Sequence, residues 1–501
     1  MPSATRSAVG LRSERGPILL SLMLATALVA LDATIIATAS STIARELGRF
    51  DQLPWLFSAY LLAQAVSTPV YGRLADIVGR KRLMLVGIGL FFVGSALAGA
   101  APAMGVLIAG RAVQGLGAGA VMPVSMTITS DIYTLEERAR TQGYLASVWG
   151  ISSVVGPTLG GVFSQFVSWR WIFWVNLPLA VLAALMLQLR YHESRQISRR
   201  EPIDYLGAAL LASGSTLLLL GLLEGGTRWP WGSAATVGVL ATAVVLLAGF
   251  VVRARTIRYP ILDLAVLRRR VVGASTGASL LVGVVVVGLS TYVPIYAQEV
   301  RGVGALIAGF ALAALTIGWP ISASQAGTVY LRIGFRLTAV IGSSLVVVGG
   351  LLMLLLGSGS SLVLVAVFCF VIGAGMGLTA VPTLIAAQAS AAPTERGSVT
   401  GTNMFARAIG SAVGVAVLGA VVNANTTLGP DGAPHGPGVM TAMRLVFVAL
   451  AIVSVALLAA VTTMPEDRRA AVERRARLAA ESATASDAEV TSGQLVGDQA
   501  G

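Results

Sequence analysis

Apolar runs of about twenty residues recur along almost the whole chain, separated by short polar or basic breaks. Each run is long enough to cross the hydrocarbon core of a bilayer as one helix. Barrel strands would alternate apolar and polar residues over about ten positions, whereas these runs are continuous. The breaks place spans at about 17–41, 54–71, 83–102, 105–128, 141–165, 171–189, 205–223, 233–252, 271–295, 304–326, 337–357, 361–388, 401–422 and 441–463. The pattern predicts an all-α membrane protein with about 14 transmembrane helices.

The breaks also set the organisation: a basic tail (1–16), a six-helix bundle (17–190), a charged linker with two extra helices (191–270), and a second six-helix bundle (271–464). Residues 465–501 begin Arg-rich and become Ala/Ser/Thr/Asp-rich, a composition that predicts disorder. The Gly/Pro-rich segment 423–438 is expected to be a flexible outward loop.

Composition agrees with the pattern. Of 501 residues, 55% are hydrophobic and 12% charged, against roughly 25% charged in soluble domains; mean hydropathy is +0.81. The net charge of +12 is unevenly shared. One side of the predicted spans receives Arg6, Arg12 and Arg15, the Arg73–Arg82 loop, Arg190–Arg200, Arg253–Arg270, Arg332, Arg336 and Arg468–Arg477. The other receives little beyond Arg45, Arg49, Arg170, Arg228, Arg301 and Arg444. This positive-inside asymmetry places both termini in the cytoplasm, and it accounts for the basic charge without a nucleic-acid partner. Ala37-Thr38-Ala39 has the look of a signal cleavage site, but Asp32 interrupts the apolar region and the run continues to Ala44, so a retained span is expected. The lone Cys369 allows no intramolecular disulfide and is read as packing. His192 and His435 fall in loops and no GxxxxGK[ST] occurs, so neither a metal site, an enzyme nor an ATP-driven pump is expected.

The two bundles carry matching landmarks. GRLADIVGRKR (72–82) faces GTVYLRIGFR (327–336), with glycines seven apart in each. TLEERARTQG (134–143) faces PTERGSVTG (393–401), each with Glu-Arg and a glycine five residues after the arginine. GLGAGAVMP (115–123) and GAGMGLTAVP (373–382) precede them. Internal duplication with a site between the halves is a transporter plan.

These residues resemble the major facilitator superfamily over roughly residues 17–464. Gly72, Asp76, Gly79 and Arg80 lie in a segment similar to its signature between helices 2 and 3; Arg111-Ala112-Val113-Gln114-Gly115 is similar to its helix 4 motif. Gly150 with Gly156-Pro157-Thr158-Leu159-Gly160-Gly161 resembles the helix 5 motif of proton-driven exporters. Leu31-Asp32-Ala33-Thr34-Ile35, Trp169-Arg170-Trp171-Ile172-Phe173 with Asn176 and Pro178, and Pro260-Ile261-Leu262-Asp263-Leu264 resemble the fourteen-helix drug:proton antiporter branch. The resemblance implies two pseudo-symmetric six-helix bundles plus two inserted helices, and a helix 5 that limits leakage and favours exchange. Leu331 stands where the first half has Asp76, which predicts an asymmetric latch.

The residues themselves carry the chemistry. A carboxylate near the bilayer centre costs about 2.5–3.5 kcal/mol even on lenient scales and faces a cavity or a partner; Asp32 is therefore read as a proton-coupling or cation-binding group, or as a carboxylate fixed to a neighbouring helix. Arg111 and Gln114 share a face of the fourth span while Gly115 and Gly119 form a small-residue stripe, so Arg111 either tunes Asp32 or braces helices. Gly72 and Gly79 are expected to permit the turn, with Asp76 pairing with Arg80 and Asp131 as a further partner, a network that gates the cytoplasmic side. Gly156, Pro157 and Gly160 permit close packing and a bend. Arg407 has no role beyond bracing or contact with an acidic substrate group. Trp169, Trp171 and Trp174 fit an aromatic belt.

The expected function is proton-coupled export of amphipathic or lipophilic compounds such as drugs and dyes. Cations are favoured, because Asp32 is the only acid deep in a span. The expected partners are a small-molecule substrate, protons and the bilayer of the cytoplasmic membrane, around a monomer with no cofactor. Export of an endogenous lipid, siderophore or self-made antibiotic, or a non-transporting membrane scaffold or sensor, are the alternatives.

Overall fold

The structure is a computed structural model. It describes residues 10–47, 52–193, 203–226, 229–262, 264–428, 434–435 and 438–466. Most of the charged linker, Asp263 and the tail from residue 467 lie outside the described residues.

The chain folds as α1 (Gly16–Leu47), α2 (Leu53–Val78), α3 (Arg80–Gly99), α4 (Met104–Ile132), α5 (Leu135–Val162), α6 (Trp171–Trp174), α7 (Asn176–Arg190), α8 (Tyr205–Glu224), α9 (Ala234–Thr256), α10 (Leu264–Leu267), α11 (Arg270–Ile295), α12 (Ala305–Ile333), α13 (Phe335–Met353), α14 (Leu362–Ser390), α15 (Arg396–Asn425) and α16 (Val439–Thr462). The sixth predicted span is α6 and α7 together. Among the described residues 13 helical segments are long and apolar enough to cross a membrane. The remaining long helix, α2, carries Gln64, Ser67, Thr68, Arg73 and Asp76; it packs on α4 and α15, where polar groups meet protein instead of lipid. Two pairs of residues between α15 and α16, Thr427–Leu428 and Pro434–His435, form a short antiparallel ladder that hydropathy did not predict.

Local sequence explains the helix ends. Thr134 and Glu137 form a reciprocal capping box at α5, Asp204 caps α8 and Ser233 caps α9, each meeting amides that the helix leaves unpaired. Glycines set the spacing of helices. Gly110 and Gly117 seat α4 on α3, Gly115 and Gly119 seat it on α2, and Gly342, Gly349 and Gly375 repeat the first arrangement between α13 and α14.

Helices α1–α7 enclose one apolar core, around Leu28, Phe91, Val121 and Ala183. Helices α11–α16 enclose another, around Val285, Val346, Ile372 and Phe447. The bundles meet along two seams, α2 on α15 and α5 on α12. The inserted pair sides with one of them: α8 packs against both α2 and α15, with α9 on α8, and Leu219 of α8 joins Ala65, Val66 and Ala412 in a small apolar cluster.

Candidate functional site

Asp32 lies halfway along α1, inside the N-terminal bundle and 0% exposed. Its Oδ2 accepts from Arg111 Nη1 at 2.5 Å, and its Oδ1 from Gln114 Nε2 at 3.2 Å and Asn176 Nδ2 at 3.5 Å. Arg111 also donates to Gln114 Oε1 (2.9 Å) and, through Nε, to the Leu56 carbonyl (3.1 Å). Its guanidinium lies over the Tyr60 ring, 4.2 Å from the centroid. Gln114 completes the network on Ser95 Oγ at 2.6 Å. The shared face expected for Arg111 and Gln114 is thus the face that meets Asp32. Ser95, Asn176 and Tyr60 carried no charge to flag them. Because the pair is neutralised within one bundle, Asp32 presents no free charge to a substrate, and it gives no support for a preference for cations.

Two residues further along α1, Thr34 Oγ1 donates to the Ser152 carbonyl of α5 at 2.9 Å. A Cβ on Gly156 would collide with the Thr34 side chain. Gly156 is therefore the contact through which α1 and α5 interlock, and Pro157 follows it inside α5. Gly150 and Gly161 meet nothing within 4 Å, so they take no part in that contact. Gly160 is buried beside it.

The third group lies at the arginine-rich end of the molecule. Gly79 (φ 104°, ψ 148°) turns the chain from α2 directly into α3, and Gly334 (φ 87°, ψ 162°) does the same between α12 and α13; side chains are strained in this conformation and glycine is not. Gly72 is not part of that turn. It sits inside α2, where a Cβ would collide with the Gly397 carbonyl, so its role is close approach to α15.

Asp76 then reaches across the seam. Its Oδ1 accepts from Arg80 Nη2 (2.8 Å) and the Gly397 amide (3.2 Å), and its Oδ2 from the Ser398 amide (2.9 Å). These amides open α15, which has no side-chain cap of its own; a carboxylate there is favoured by the helix dipole. Arg80 donates to the Pro393 carbonyl (2.7 Å) and pairs with Asp131 (3.1 Å). Asp131 also pairs with Arg396 (3.2 Å), which donates to the Ser130 carbonyl (3.0 Å). This end of the molecule is closed by ions contributed from both bundles. Beside it, Arg269 holds Glu395 in a two-pronged pair (2.7 and 3.0 Å) that keeps the carboxyl below the usual range despite partial burial. At the second seam Tyr330 donates to the Leu135 carbonyl at 3.5 Å, and Leu331 offers no carboxylate, so the latch is one-sided.

Trp169 departs from the expected aromatic belt. It is 1% exposed, donates to Glu46 at 2.8 Å and carries Arg170 over its ring at 4.4 Å. Arg170, opposed by burial and helped by the indole, holds Glu46 below the usual carboxylate range. Trp171 is exposed at the surface, as a belt residue would be.

The family model described as Major Facilitator Superfamily matches residues 22–415. The chain is 33% identical over 404 residues to Multidrug resistance protein 3 of Bacillus subtilis (strain 168), covering 81% of this chain and 79% of the relative. It is 32% identical over 417 residues to the Multidrug transporter protein MdtP of the same organism, covering 83% and 77%. The human organic anion transporter MFSD10 has a similar fold, with a TM-score of 0.63 at 17% identity over 89% of this chain and 99% of that one. The chain belongs to the major facilitator superfamily.

Proposed function

We propose that this chain is a proton-coupled antiporter that exports amphipathic organic compounds, drugs among them, across the cytoplasmic membrane by alternating access. In this reading it works as a monomer with both termini inside. The relatives' names, multidrug resistance and multidrug transporter, support drug efflux. The observation that carries the proton is the buried Asp32–Arg111 pair.

In the described state Asp32 is the counter-ion of Arg111. Protonation removes that attraction, and Arg111 falls back on the Gln114 amide, the Leu56 carbonyl and the Tyr60 ring that already surround it. The change is delivered to α1, which carries Thr34 against α5, and α5 is a wall of the seam with α12. Opening the arginine-rich end then requires Asp76 to leave the α15 amides and Asp131 to leave Arg396. One proton moving down about 150 mV supplies roughly 3.5 kcal/mol, enough for a gradient of a few hundredfold in a neutral compound.

The test uses inverted membrane vesicles with an imposed proton gradient and a panel of cationic, neutral and anionic amphipathic dyes, comparing the parent with Asp32→Asn at equal expression. Gradient-driven dye movement in the parent and its loss in the variant is the expected result. Equal rates would sink the coupling assignment.

A further inference from the structure

Arg407 differs from the buried arginines Arg111 and Arg80. Arg111 is neutralised by Asp32, and Arg80 by Asp76 and Asp131. Arg407 sits eleven residues into α15, about 16 Å from its start at 1.5 Å per residue, and inside the apolar span of about 401–422. Its Nε is shielded from solvent with no partner, and among the described residues no carboxylate pairs with its guanidinium. Arginine does not shed its proton in proteins, so the charge stays. A permanent charge at this depth is expensive unless something answers it.

Its position follows from the helices around it. The guanidinium lies over the ring of Trp319 on α12, 5.8 Å from the centroid. Helix α15 meets the other bundle through α2, and α12 meets it through α5. A side chain running from one to the other therefore lies along the face that the C-terminal bundle turns toward the N-terminal one.

The duplication identifies what stands opposite. Glu137 and Glu395, Arg138 and Arg396, and Gly143 and Gly401 are matched landmarks at one constant offset, and the same offset pairs Trp149 with Arg407. Seven residues on, Gly156 seats α5 on α1 and Gly414 seats α15 on α11, so Trp149 and Arg407 occupy the same helical angle in the two halves. Trp149 is 36% exposed. Between the bundles there are thus an indole on one wall, and a guanidinium backed by an indole on the other.

We propose that Arg407 is the anion-recognising group of the chamber between the bundles, and that the chain's substrates include aromatic organic anions. The oxyanion, a carboxylate or sulfonate, takes the guanidinium fork in a two-pronged hydrogen bond. The planar ring system lies against Trp319 and Trp149. This deepens the exporter reading by naming a substrate class, and it relies on that reading only for the direction of movement.

The test is binding to the purified full-length chain in detergent, where no gradient exists. 2-Naphthoate, its neutral amide 2-naphthamide and the cation 2-naphthylmethylammonium are titrated by calorimetry against the parent, Arg407→Gln and Arg407→Lys. The parent is expected to prefer naphthoate. Arg407→Gln should weaken naphthoate on the order of tenfold or more, the loss of a charged hydrogen bond, while leaving naphthamide within about threefold. Arg407→Lys, which keeps the charge and loses the fork, should fall between; if Arg407→Gln does not fold, the naphthoate-to-naphthamide ratio of this variant decides. Equal weakening of both ligands would mean a packing role and overturn the proposal, as would unchanged naphthoate affinity, a parent that prefers the amide or the cation, or no binding of naphthoate at all. A variant-independent failure of gradient-driven transport, with naphthoate binding intact, would count against proton coupling and not against Arg407.

Discussion

The Asp32 carboxylate and the Arg111 guanidinium meet at 2.5 Å, both buried and both within the N-terminal bundle. Removing one member of a buried pair leaves an unanswered charge, typically at a cost of about 3–5 kcal/mol, whereas removing both is far less damaging. Arg111→Gln should therefore lower thermal stability sharply, and Asp32→Asn/Arg111→Gln should recover part of the loss while staying unable to couple transport to a proton gradient. A double-mutant cycle of melting temperatures, with vesicle transport beside it, checks both. Additive single effects would mean that the two side chains do not interact.

Asp76→Asn keeps the shape of the side chain and removes the charge that faces Arg80 and the first amides of α15. Charged hydrogen bonds are worth about 1.5–3 kcal/mol. Hydrogen exchange of the Gly397 and Ser398 amides, which donate to Asp76, should speed up on the order of tenfold or more in the variant. The amide of Glu137, capped by Thr134 within α5, should not change.

The glycines of α5 separate into two kinds. Gly156→Ala pushes a methyl group into Thr34, and overpacking of this sort costs about 1–3 kcal/mol. Gly161→Ala meets nothing within 4 Å and should be neutral, or slightly stabilising through helix propensity. Melting temperatures of the two variants distinguish interlocking of α1 and α5 from a general need for glycine.

The Arg269–Glu395 pair gives a pH dependence whose sign is fixed. Glu395 is held below its usual range chiefly by Arg269, with burial acting the other way. Its contribution is therefore complete above the ordinary glutamate value of about 4.3 and is lost as the pH falls through the lowered value in the folded chain. Both partners are partly exposed, so the effect is under about 1 kcal/mol. Glu395→Gln should melt slightly lower than the parent at pH 7, and the difference should shrink once the pH falls below the ordinary glutamate value of about 4.3 and vanish below the lowered value.

Charge inside apolar runs made much of this legible from sequence. Asp32, Arg111 and Arg407 stood out because a bilayer makes charge conspicuous, Asp76 and Arg80 because they sit in the motif beside the Gly79 turn, and Asp131 as an acid at the end of α4. Neutral partners did not stand out by charge: Ser95 and Tyr60 are ordinary residues until the fold brings them to Gln114 and Arg111, and Asn176 was marked only by its motif, not as a partner of Asp32. Gly72 and Gly79 looked like one turn because they are close in sequence, but helix α2 continues past the first. Trp169 read as interfacial from its neighbours, and only the fold supplies Glu46 as its acceptor. Hydropathy placed the second span at 54–71, whereas α2 continues to Val78 with Arg73 and Asp76 on its last turns.

The two ends of the duplicated helix pair are finished differently. Helix α5 closes its own first turn with Thr134 and Glu137, whereas α15 takes its closure from Asp76 of the other bundle. The two matching helices are complementary, one self-sufficient and the other a borrower. A chimera built from two C-terminal bundles would have neither a lender at Leu331 nor a finished α15, so the order of the halves is written into the molecule as firmly as its membrane topology.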